Sequence, residues 1–226
     1  MIQKIYFPVL CLAVLICSIS SVQALPTIGG TSGLVRMPTA QGLKYKEFNL
    51  GFDYISQQTV SGSSRMLYKA NLGTLDGLEI GFVGQGQQEG VFINLKYYLL
   101  SDNTEQPLMM ALGIDNISSF NKTDIYMVAS KIFKGGFSMH LGFLAPLQGT
   151  ATNPSLMLGT EYYFSESLSL AMDTVGQSSI YDLAAGLRFR TSQNLIFSIH
   201  GNHLLAPVNA VNPAEFGVGI TFTDFI

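Results

Sequence analysis

The chain has 226 residues, of which 47% are hydrophobic and only 12% are charged, and its formal net charge is −3. The length suits one domain, and a charged share about half that of an ordinary soluble domain indicates contact with lipid. The small net charge and the lack of basic clusters interleaved with aromatic residues argue against nucleic-acid binding. Beyond the N-terminus no run of about 18 apolar residues predicts a membrane-spanning helix.

Residues 1–24 have the pattern of a secretion signal. A basic residue precedes a short apolar stretch from Val9 to Ile19. Val22-Gln23-Ala24 then forms a small-x-Ala cleavage site. The sequence therefore predicts a cleaved signal peptide and export from the cytoplasm.

Cysteine usage excludes several kinds of chemistry. Cys11 and Cys17 both lie in the signal, so the mature chain, expected to begin at Leu25, has no cysteine. Disulfides, thiol catalysis and cysteine-bound metals are therefore excluded. Gly84-Gln85-Gly86 lacks a following helix and is not a phosphate-binding loop. We expect no cofactor.

The stretch over residues 25–44 is rich in Gly, Pro and Thr and reads as extended or loop-like. We predict a periplasmic N-terminal segment here. It either turns directly into the first strand or tucks into the mouth of the lumen.

From residue 45 onward, large apolar residues alternate with small or polar ones, as between Phe48 and Tyr54. A period of two is the signature of a β-strand with one apolar face. The predicted strands are 45–55, 63–73, 78–85, 90–100, 107–117, 124–133, 136–145, 155–164, 167–176, 180–190, 194–203 and 214–223. Residues 45–226 are thus predicted to form an all-β fold, a closed antiparallel transmembrane β-barrel of about twelve strands in the outer membrane, in contact with its lipid.

Connector lengths orient the barrel. Long connectors are predicted at Ser56–Gly62, Ser118–Thr123, Pro146–Pro154 and Leu204–Pro213. Short turns fall between them at Thr74–Gly77, Lys134-Gly135, Ser165-Glu166 and Thr191–Gln193. Short periplasmic turns and longer external loops are typical of bacterial outer-membrane barrels, which places both termini in the periplasm.

The charged residues of the strands fall on the face opposite the apolar one. A charge at mid-bilayer on the lipid face costs about 2–4 kcal/mol for Arg or Lys, so this sorting is expected. The lumen-facing candidates are Asp53, Arg65, Lys69, Glu79, Lys96, Asp115, Lys131, His140, Glu161, Asp173, Asp182, Arg188, Arg190 and His200. Strand 124–133 fits less well: either Lys131 points inward and Ser130 faces lipid, or the register has a bulge.

Two interpretations of this lumen compete. The charges can form a packed, salt-bridged interior that stiffens the barrel. Alternatively, they line a narrow polar passage in which the small inward glycines leave room for water.

Two Ser–His pairs were considered as catalytic groups. Ser138 and His140, and likewise Ser198 and His200, are two residues apart and share a strand face. Such a pair can act as an activated nucleophile if a carboxylate orients the histidine. Both pairs face the lumen, away from lipid substrates, so we expect no enzymatic activity. His200 and His203 lie on opposite faces of a regular strand, which argues against a metal site.

The last predicted strand resembles an assembly signal. Gly217, Ile220 and Phe222 occupy the Gly, apolar and aromatic positions of a motif that the outer-membrane barrel assembly machinery recognises by strand augmentation. The chain departs from this pattern because it continues for four residues, Thr223 to Ile226, beyond the aromatic position.

The motif Gly33 to Ala40, of the form Gly-Leu-x-x-x-Pro-Thr-Ala, is followed by Phe48-Asn49-Leu50-Gly51-Phe52. Together they resemble the start of the YjbH-like outer-membrane proteins. Asp76-Gly77-Leu78-Glu79-Ile80-Gly81 is similar to that family's turn into its third strand. The resemblance implies a short, single-barrel version of a family associated with exopolysaccharide production and secretion, with polysaccharide export components as partners.

The expected function is therefore a non-enzymatic envelope protein that assists export or passage of a polysaccharide or small solutes. A structural or adhesive barrel with a filled lumen and no transport is the alternative. A lipid-modifying outer-membrane hydrolase is the third hypothesis.

Overall fold

The computed structural model describes residues 24–57, 63–85, 90–100, 108–118, 123–147, 154–177, 180–206 and 213–226. Twelve antiparallel strands form one closed barrel in which every strand pairs with its neighbours in sequence and β1 pairs with β12. The strands are β1 Glu47–Gln57, β2 Ser64–Leu75, β3 Leu78–Gly84, β4 Val91–Leu100, β5 Met109–Asp115, β6 Asp124–Phe133, β7 Phe137–Pro146, β8 Ser155–Ser165, β9 Leu168–Gln177, β10 Ile180–Arg190, β11 Leu195–Asn202 and β12 Glu215–Phe225. The predicted fold is confirmed, and each predicted strand lies within two residues of an observed one at both ends.

The two faces of the wall differ as the alternation predicts. In β7, for example, Met139, Leu141 and Phe143 are about half exposed, while Ser138 and His140 between them are buried. Large apolar side chains thus form the outer surface, where lipid replaces water as the solvent. Within the described residues, no helix is long and apolar enough to cross a membrane.

Short turns join the strands at one end of the barrel. The four predicted turns are all present there, and Gly77, Gly135 and Gly136 adopt positive φ values of 83°, 94° and 80° that side chains rarely tolerate. Exposed aromatic residues cluster at the same end: Tyr45, Tyr97, Phe133, Phe164, Phe189 and Phe225. The short turns assign this end to the periplasmic side, and the aromatic residues suit a membrane interface. Most residues of the predicted long connectors lie outside the described part of the chain.

The prediction that Lys131 points into the lumen is wrong. β6 pairs with β7 without a register shift, so no bulge changes which residues face inward. Ser130 is the inward residue, since its hydroxyl contacts Nδ1 of His140 at 2.8 Å and accepts the N–H of Ala40 at 2.9 Å. Lys131 therefore lies on the lipid face near the periplasmic end of β6, where a long side chain can extend its ammonium group to the headgroups.

The strand that carries the proposed assembly motif closes the barrel. β12 pairs with β11 on one side and with β1 on the other, and this second pairing runs to Phe225. Gly217 is buried on the lumen face, whereas Phe222 lies on the outer face. The residues beyond Phe222 therefore extend the closing strand, while recognition of the motif stays a prediction.

Candidate functional site: a lumen filled by the N-terminal segment

Residues 24–43, here called the lumen segment, run inside the barrel. Leu34 and Met37 are 1% and 0% exposed, and most of the other side chains in the segment are also buried. The segment contacts Asp115 and Asp182, which lie toward the external ends of β5 and β10. The sequence left two placements open, a periplasmic stretch that turns directly into β1 and a stretch that tucks into the mouth of the lumen. The structure shows neither of them. The segment reaches deep into the lumen.

The lumen segment folds back on itself. Pro26 and Ser32 form one isolated β-bridge, and Gly33 and Pro38 form another. The N–H of Gly33 also donates to the carbonyl of Leu25 at 2.7 Å. These local bonds satisfy part of the buried backbone, and the remaining groups need partners from the barrel wall.

Two glycines of the segment are required by close approach. A Cβ on Gly33 would lie 2.2 Å from the carbonyl oxygen of Met37, and a Cβ on Gly42 would lie 1.1 Å from the hydroxyl of Tyr98. Both distances are far below van der Waals contact, so a side chain at position 33 would clash with the segment's own backbone, and one at position 42 would require the Tyr98 ring to move. The glycine of the Gly-Leu-x-x-x-Pro-Thr-Ala motif thus has a packing role inside the lumen.

The periplasmic half of the segment is held by a buried ion pair. The carboxylate of Glu79 accepts the N–H and the hydroxyl of Ser32 at 2.9 and 2.6 Å. The ammonium of Lys96 lies 3.6 Å from Glu79 and donates to the carbonyls of Ser32 and Gln41 at 2.7 and 2.9 Å. Glu79 and Lys96 are 1% and 0% exposed, so water compensates neither charge. Besides Lys96 and the segment, Glu79 has two partners in the wall, the hydroxyl of Tyr98 at 2.7 Å and the amide of Asn71 at 3.4 Å.

A second anchor holds the turn of the segment. Oδ2 of Asp173 accepts the backbone N–H groups of Val35 and Arg36 at 2.8 and 2.9 Å. The guanidinium of Arg36 bonds to Asp182, whose carboxylate also contacts Nδ1 of His203. This ionic cluster is partly exposed and lies toward the external end of the barrel.

A third anchor is the guanidinium of Arg188. It donates to the carbonyls of Gly33 and Leu34 at 2.7 and 2.8 Å, and to Glu161 at 3.0 Å. Glu161 in turn accepts the hydroxyl of Ser169 at 2.9 Å. One wall cation thus binds two consecutive carbonyls of the segment while it stays paired with a wall carboxylate.

Apolar contacts complete the docking. Met37 and Ala40 pack in a buried cluster with wall residues Met109, Ala111, Tyr126, Val128 and Met157. Leu34 and Val35 pack against Ala171 and Ala184. The inward faces of β5, β6 and β8 to β10 therefore carry small or apolar residues where the segment presses against the wall.

The inward glycines serve the same packing. A Cβ on Gly159 would lie 2.3 Å from Cδ1 of Leu34, and a Cβ on Gly186 would lie 3.1 Å from Cγ2 of Val35. The space above these glycines is occupied by the chain itself. This differs from the sequence-based interpretation, in which the glycines left room for water.

Other predicted lumen residues pair within the wall. Lys69 bonds to Asp53 at 2.6 Å, and both are buried. Arg65 bonds to Glu215 at 3.0 Å, and Asn202 also donates to Glu215 at 3.2 Å. Glu215 was not among the predicted residues, although it shares the parity of the inward glycines of β12.

The remaining predicted residues also lie on the lumen face. Asp115 accepts the hydroxyl of Thr31 at 2.6 Å. Arg190 and His200 line two small cavities described below. Arg36 was not among the predicted residues. It belongs to the lumen segment and binds Asp182 from there, and strand periodicity could not indicate it because it lies outside the strands.

The Ser138–His140 pair is a structural contact. The hydroxyl of Ser138 lies 3.0 Å from Nε2 of His140, as a nucleophile would. The other ring nitrogen contacts the hydroxyl of Ser130, not a carboxylate, and all three residues are at most 3% exposed. The orienting acid that a catalytic triad needs is therefore missing from the described contacts of His140.

Two small cavities remain beside the segment. One of about 30 Å³ is lined by Asp53, Lys69 and His200 among others, and one of about 20 Å³ by Glu161 and Arg190 among others. A volume of this size holds about one or two water molecules. Neither cavity admits a solute larger than water while the segment is docked.

The fold is similar to solved outer-membrane barrels. A KdgM porin matches with a TM-score of 0.55 and 12% identity, over 79% of this chain and 99% of that chain. A NanC porin matches with a TM-score of 0.52 and 12% identity, over 79% and 99%. The COG4313 outer membrane channel from Pseudomonas putida F1 matches with a TM-score of 0.50 and 13% identity, over 83% and 98%.

No protein-family model and no curated protein matches the sequence. At 12–13% identity the structural likeness establishes the fold. Together with the apolar outer face, it identifies the chain as a bacterial outer-membrane β-barrel, closed around its own N-terminal segment.

Proposed function

We propose that the protein is a non-enzymatic outer-membrane channel that its lumen segment closes at rest. The observation that carries the proposal is the way the segment is held, by hydrogen bonds and by ion pairs such as that of Arg36 with Asp182. Such contacts can be exchanged for water when the segment moves. Passage of a solute then requires displacement of the segment.

The wall suits small polar solutes once the segment has left. The exposed surface would include Asp173, Glu79, Lys96 and Arg188, four ionised groups whose segment contacts would be replaced by water or by a polar solute. A twelve-stranded barrel is wider than one filled by its side chains alone and narrower than the large porins. Saccharides are polar solutes that such a wall could hydrogen-bond. A solved KdgM porin was in complex with disordered oligogalacturonate, which supports the same solute class for a barrel of this fold.

A structural barrel with a permanently filled lumen is the second candidate. It is favoured by the complete burial of the Glu79–Lys96 pair and of Met37, which shows close packing between segment and wall. In that case the segment stiffens the wall and nothing passes. The two candidates differ in whether the segment leaves the lumen in the working protein.

An engineered disulfide separates the two candidates. Val35→Cys and Gly186→Cys suit it, because Cγ2 of Val35 lies 3.1 Å from the position of a Cβ on Gly186. An S–S bond of about 2.05 Å places each Cβ about 3 Å from the distal sulfur, so the geometry matches. The mature chain has no other cysteine, since Cys11 and Cys17 precede the predicted cleavage site.

The measurement is uptake of a small neutral oligosaccharide by vesicles that contain the purified barrel. A gated channel gives uptake in the wild type and in the reduced double variant, and uptake falls to that of empty vesicles on oxidation. Each single-cysteine variant is the matched control and should be insensitive to oxidant. Wild-type uptake equal to that of empty vesicles would contradict the channel and favour the filled structural barrel.

The polysaccharide role rests on the Gly33–Ala40 motif and its resemblance to YjbH-like proteins. We propose export components as partners on that ground, and the barrel assembly machinery as the partner of β12 during insertion. Loss of cell-surface polysaccharide in a strain that lacks the protein, restored by the wild type but not by the oxidised tethered variant, tests the role. Unchanged polysaccharide would leave only small solutes as cargo.

A further inference from the structure

The lumen segment begins at a peptide bond that the sequence marks for cleavage. Val22-Gln23-Ala24 has the small-x-Ala pattern of a signal-peptidase site. Ala24 and Leu25, on either side of the bond, are only 7% and 8% exposed inside the barrel. Cleavage at this bond therefore leaves a new α-amino group within the folded lumen.

One buried side chain lies directly beside this bond. Asn49, on the inward face of β1, is 0% exposed, and its Nδ2 donates to the carbonyl oxygen of Ala24 at 3.1 Å. Its Oδ1 is buried and has no hydrogen-bond partner. Buried amide oxygens are nearly always paired, but Oδ1 of Asn71 and of Asn202 are also unpaired here. Asn49 differs from both because its amide contacts the bond that the sequence marks for cleavage, so cleavage there would supply a donor.

We propose that the mature N-terminus is a built part of the lumen, with the α-ammonium of Leu25 bound by Oδ1 of Asn49. Cleavage removes the carbonyl of Ala24, which is an acceptor, and leaves a donor at the adjacent nitrogen of the same peptide group. The amide of Asn49 meets this donor by turning its oxygen toward Leu25. The turn breaks no bond at Oδ1, because that atom has none.

The surroundings leave Asn49 and water as acceptors for the new amine. Leu25 lines both small cavities, and their walls carry the carboxylates of Asp53 and Glu161. Both carboxylates already have a cation as partner, since Asp53 is bonded to Lys69 and Glu161 to Arg188. Arg188 lines both cavities and Arg190 lines the smaller one. Cavities of about 30 and 20 Å³ leave space for water on the remaining N–H groups. A charge that arises only on cleavage thus anchors the start of the segment.

This anchor is independent of whether the segment gates a channel. The test uses the processed protein purified from outer membranes. Its intact mass should correspond to a chain that begins at Leu25. Amines of the native barrel are then methylated with formaldehyde and cyanoborohydride, and each site is followed by peptide mass spectrometry.

The chain supplies its own reference amines. Lys44, Lys46 and Lys134 are exposed, whereas Lys69 and Lys96 are buried. We expect the Leu25 amine to be methylated at least tenfold more slowly than the exposed lysines in the native barrel, and at their rate after unfolding.

Asn49→Leu should raise methylation of Leu25 at least tenfold in barrels that still show heat-modifiable gel migration. Asn202→Leu is the matched control, because Asn202 is also buried on the lumen face and also has an unpaired Oδ1, but its amide donates to Glu215 of the wall. A mature chain that begins elsewhere, native methylation of Leu25 as fast as Lys44, or equal effects of the two variants would each overturn the proposal. The wild-type comparison stands even if Asn49→Leu fails to fold.

Discussion

Glu79→Gln should release the lumen segment without breaking the barrel. The substitution keeps the shape of the side chain but removes the only carboxylate within 4 Å of the Lys96 ammonium in the described residues. While the segment is docked, Lys96 is 0% exposed and its charge is then uncompensated. When the segment leaves, water reaches the ammonium and most of the penalty disappears.

The magnitude follows from the burial of the pair. Removal of one partner of a buried ion pair costs about 3–5 kcal/mol. Part of this cost remains after release, so the lower figure of about 3 kcal/mol is the better measure of the shift toward the released state. At about 1.4 kcal/mol per factor of ten, the released population should rise on the order of 100-fold.

Asp53→Asn is the matched control. Asp53 and Lys69 form a pair of the same kind, with side chains 2% and 4% exposed, but the pair joins β1 to β2 and, among the described residues, makes no hydrogen bond to the segment. This variant should lower the thermal stability of the barrel and leave docking unchanged.

The assay is the rate at which a buried cysteine becomes accessible. Thr39→Cys places a thiol on the segment at a position only 2% exposed. Its reaction with a membrane-impermeant maleimide reports the released population as long as redocking is faster than labelling. Labelling of the Glu79→Gln variant at the parent rate, or acceleration by Asp53→Asn of the same size, would refute the assignment of Glu79 as an anchor of the segment.

Three further predictions follow from single contacts. Gly159→Val should weaken docking of the segment, because its Cβ would lie 2.3 Å from Cδ1 of Leu34 and would force that side chain to move; thiol labelling should rise while the strands still form. Lys131→Met should leave the melting temperature unchanged or raise it, since Lys131 lies on the lipid face, whereas an inward, paired lysine would be destabilised by about 3–5 kcal/mol. Ser138→Ala should leave the lipid composition of the envelope unchanged, as lipid analysis of the two strains would show, and a changed composition would revive a hydrolase.

The barrel was predictable because its signals are local. Alternation from Phe48 to Tyr54 and its repeats depends only on neighbours in sequence, and lipid enforces it at every strand. The same rule placed thirteen of the fourteen predicted charged or histidine residues on the lumen face. It misplaced Lys131 because a lysine near a strand end can reach the headgroups from the lipid side, so its charge no longer determines its face.

The lumen segment was not predictable in this way. Its place depends on contacts such as Val35 with Asp173 and Gly33 with Arg188, which join residues 138 and 155 positions apart. An inward charge looks the same in the sequence whether it meets water, a solute or the chain's own backbone. Only the folded structure shows that Gly159 and Gly186 open space for Leu34 and Val35.

The kinds of contact explain how a closely packed segment can also be releasable. Buried ion pairs add little net stability, because desolvation offsets their attraction, but they strongly disfavour misplaced partners. Glu79, Lys96 and Arg188 therefore define where the segment docks more than how tightly. Net docking free energy must come mainly from the small apolar clusters around Met37 and Leu34. Release then exposes charges that water hydrates well, so the free-energy cost of clearing the lumen is set by the apolar surface of residues such as Leu34, Val35 and Met37.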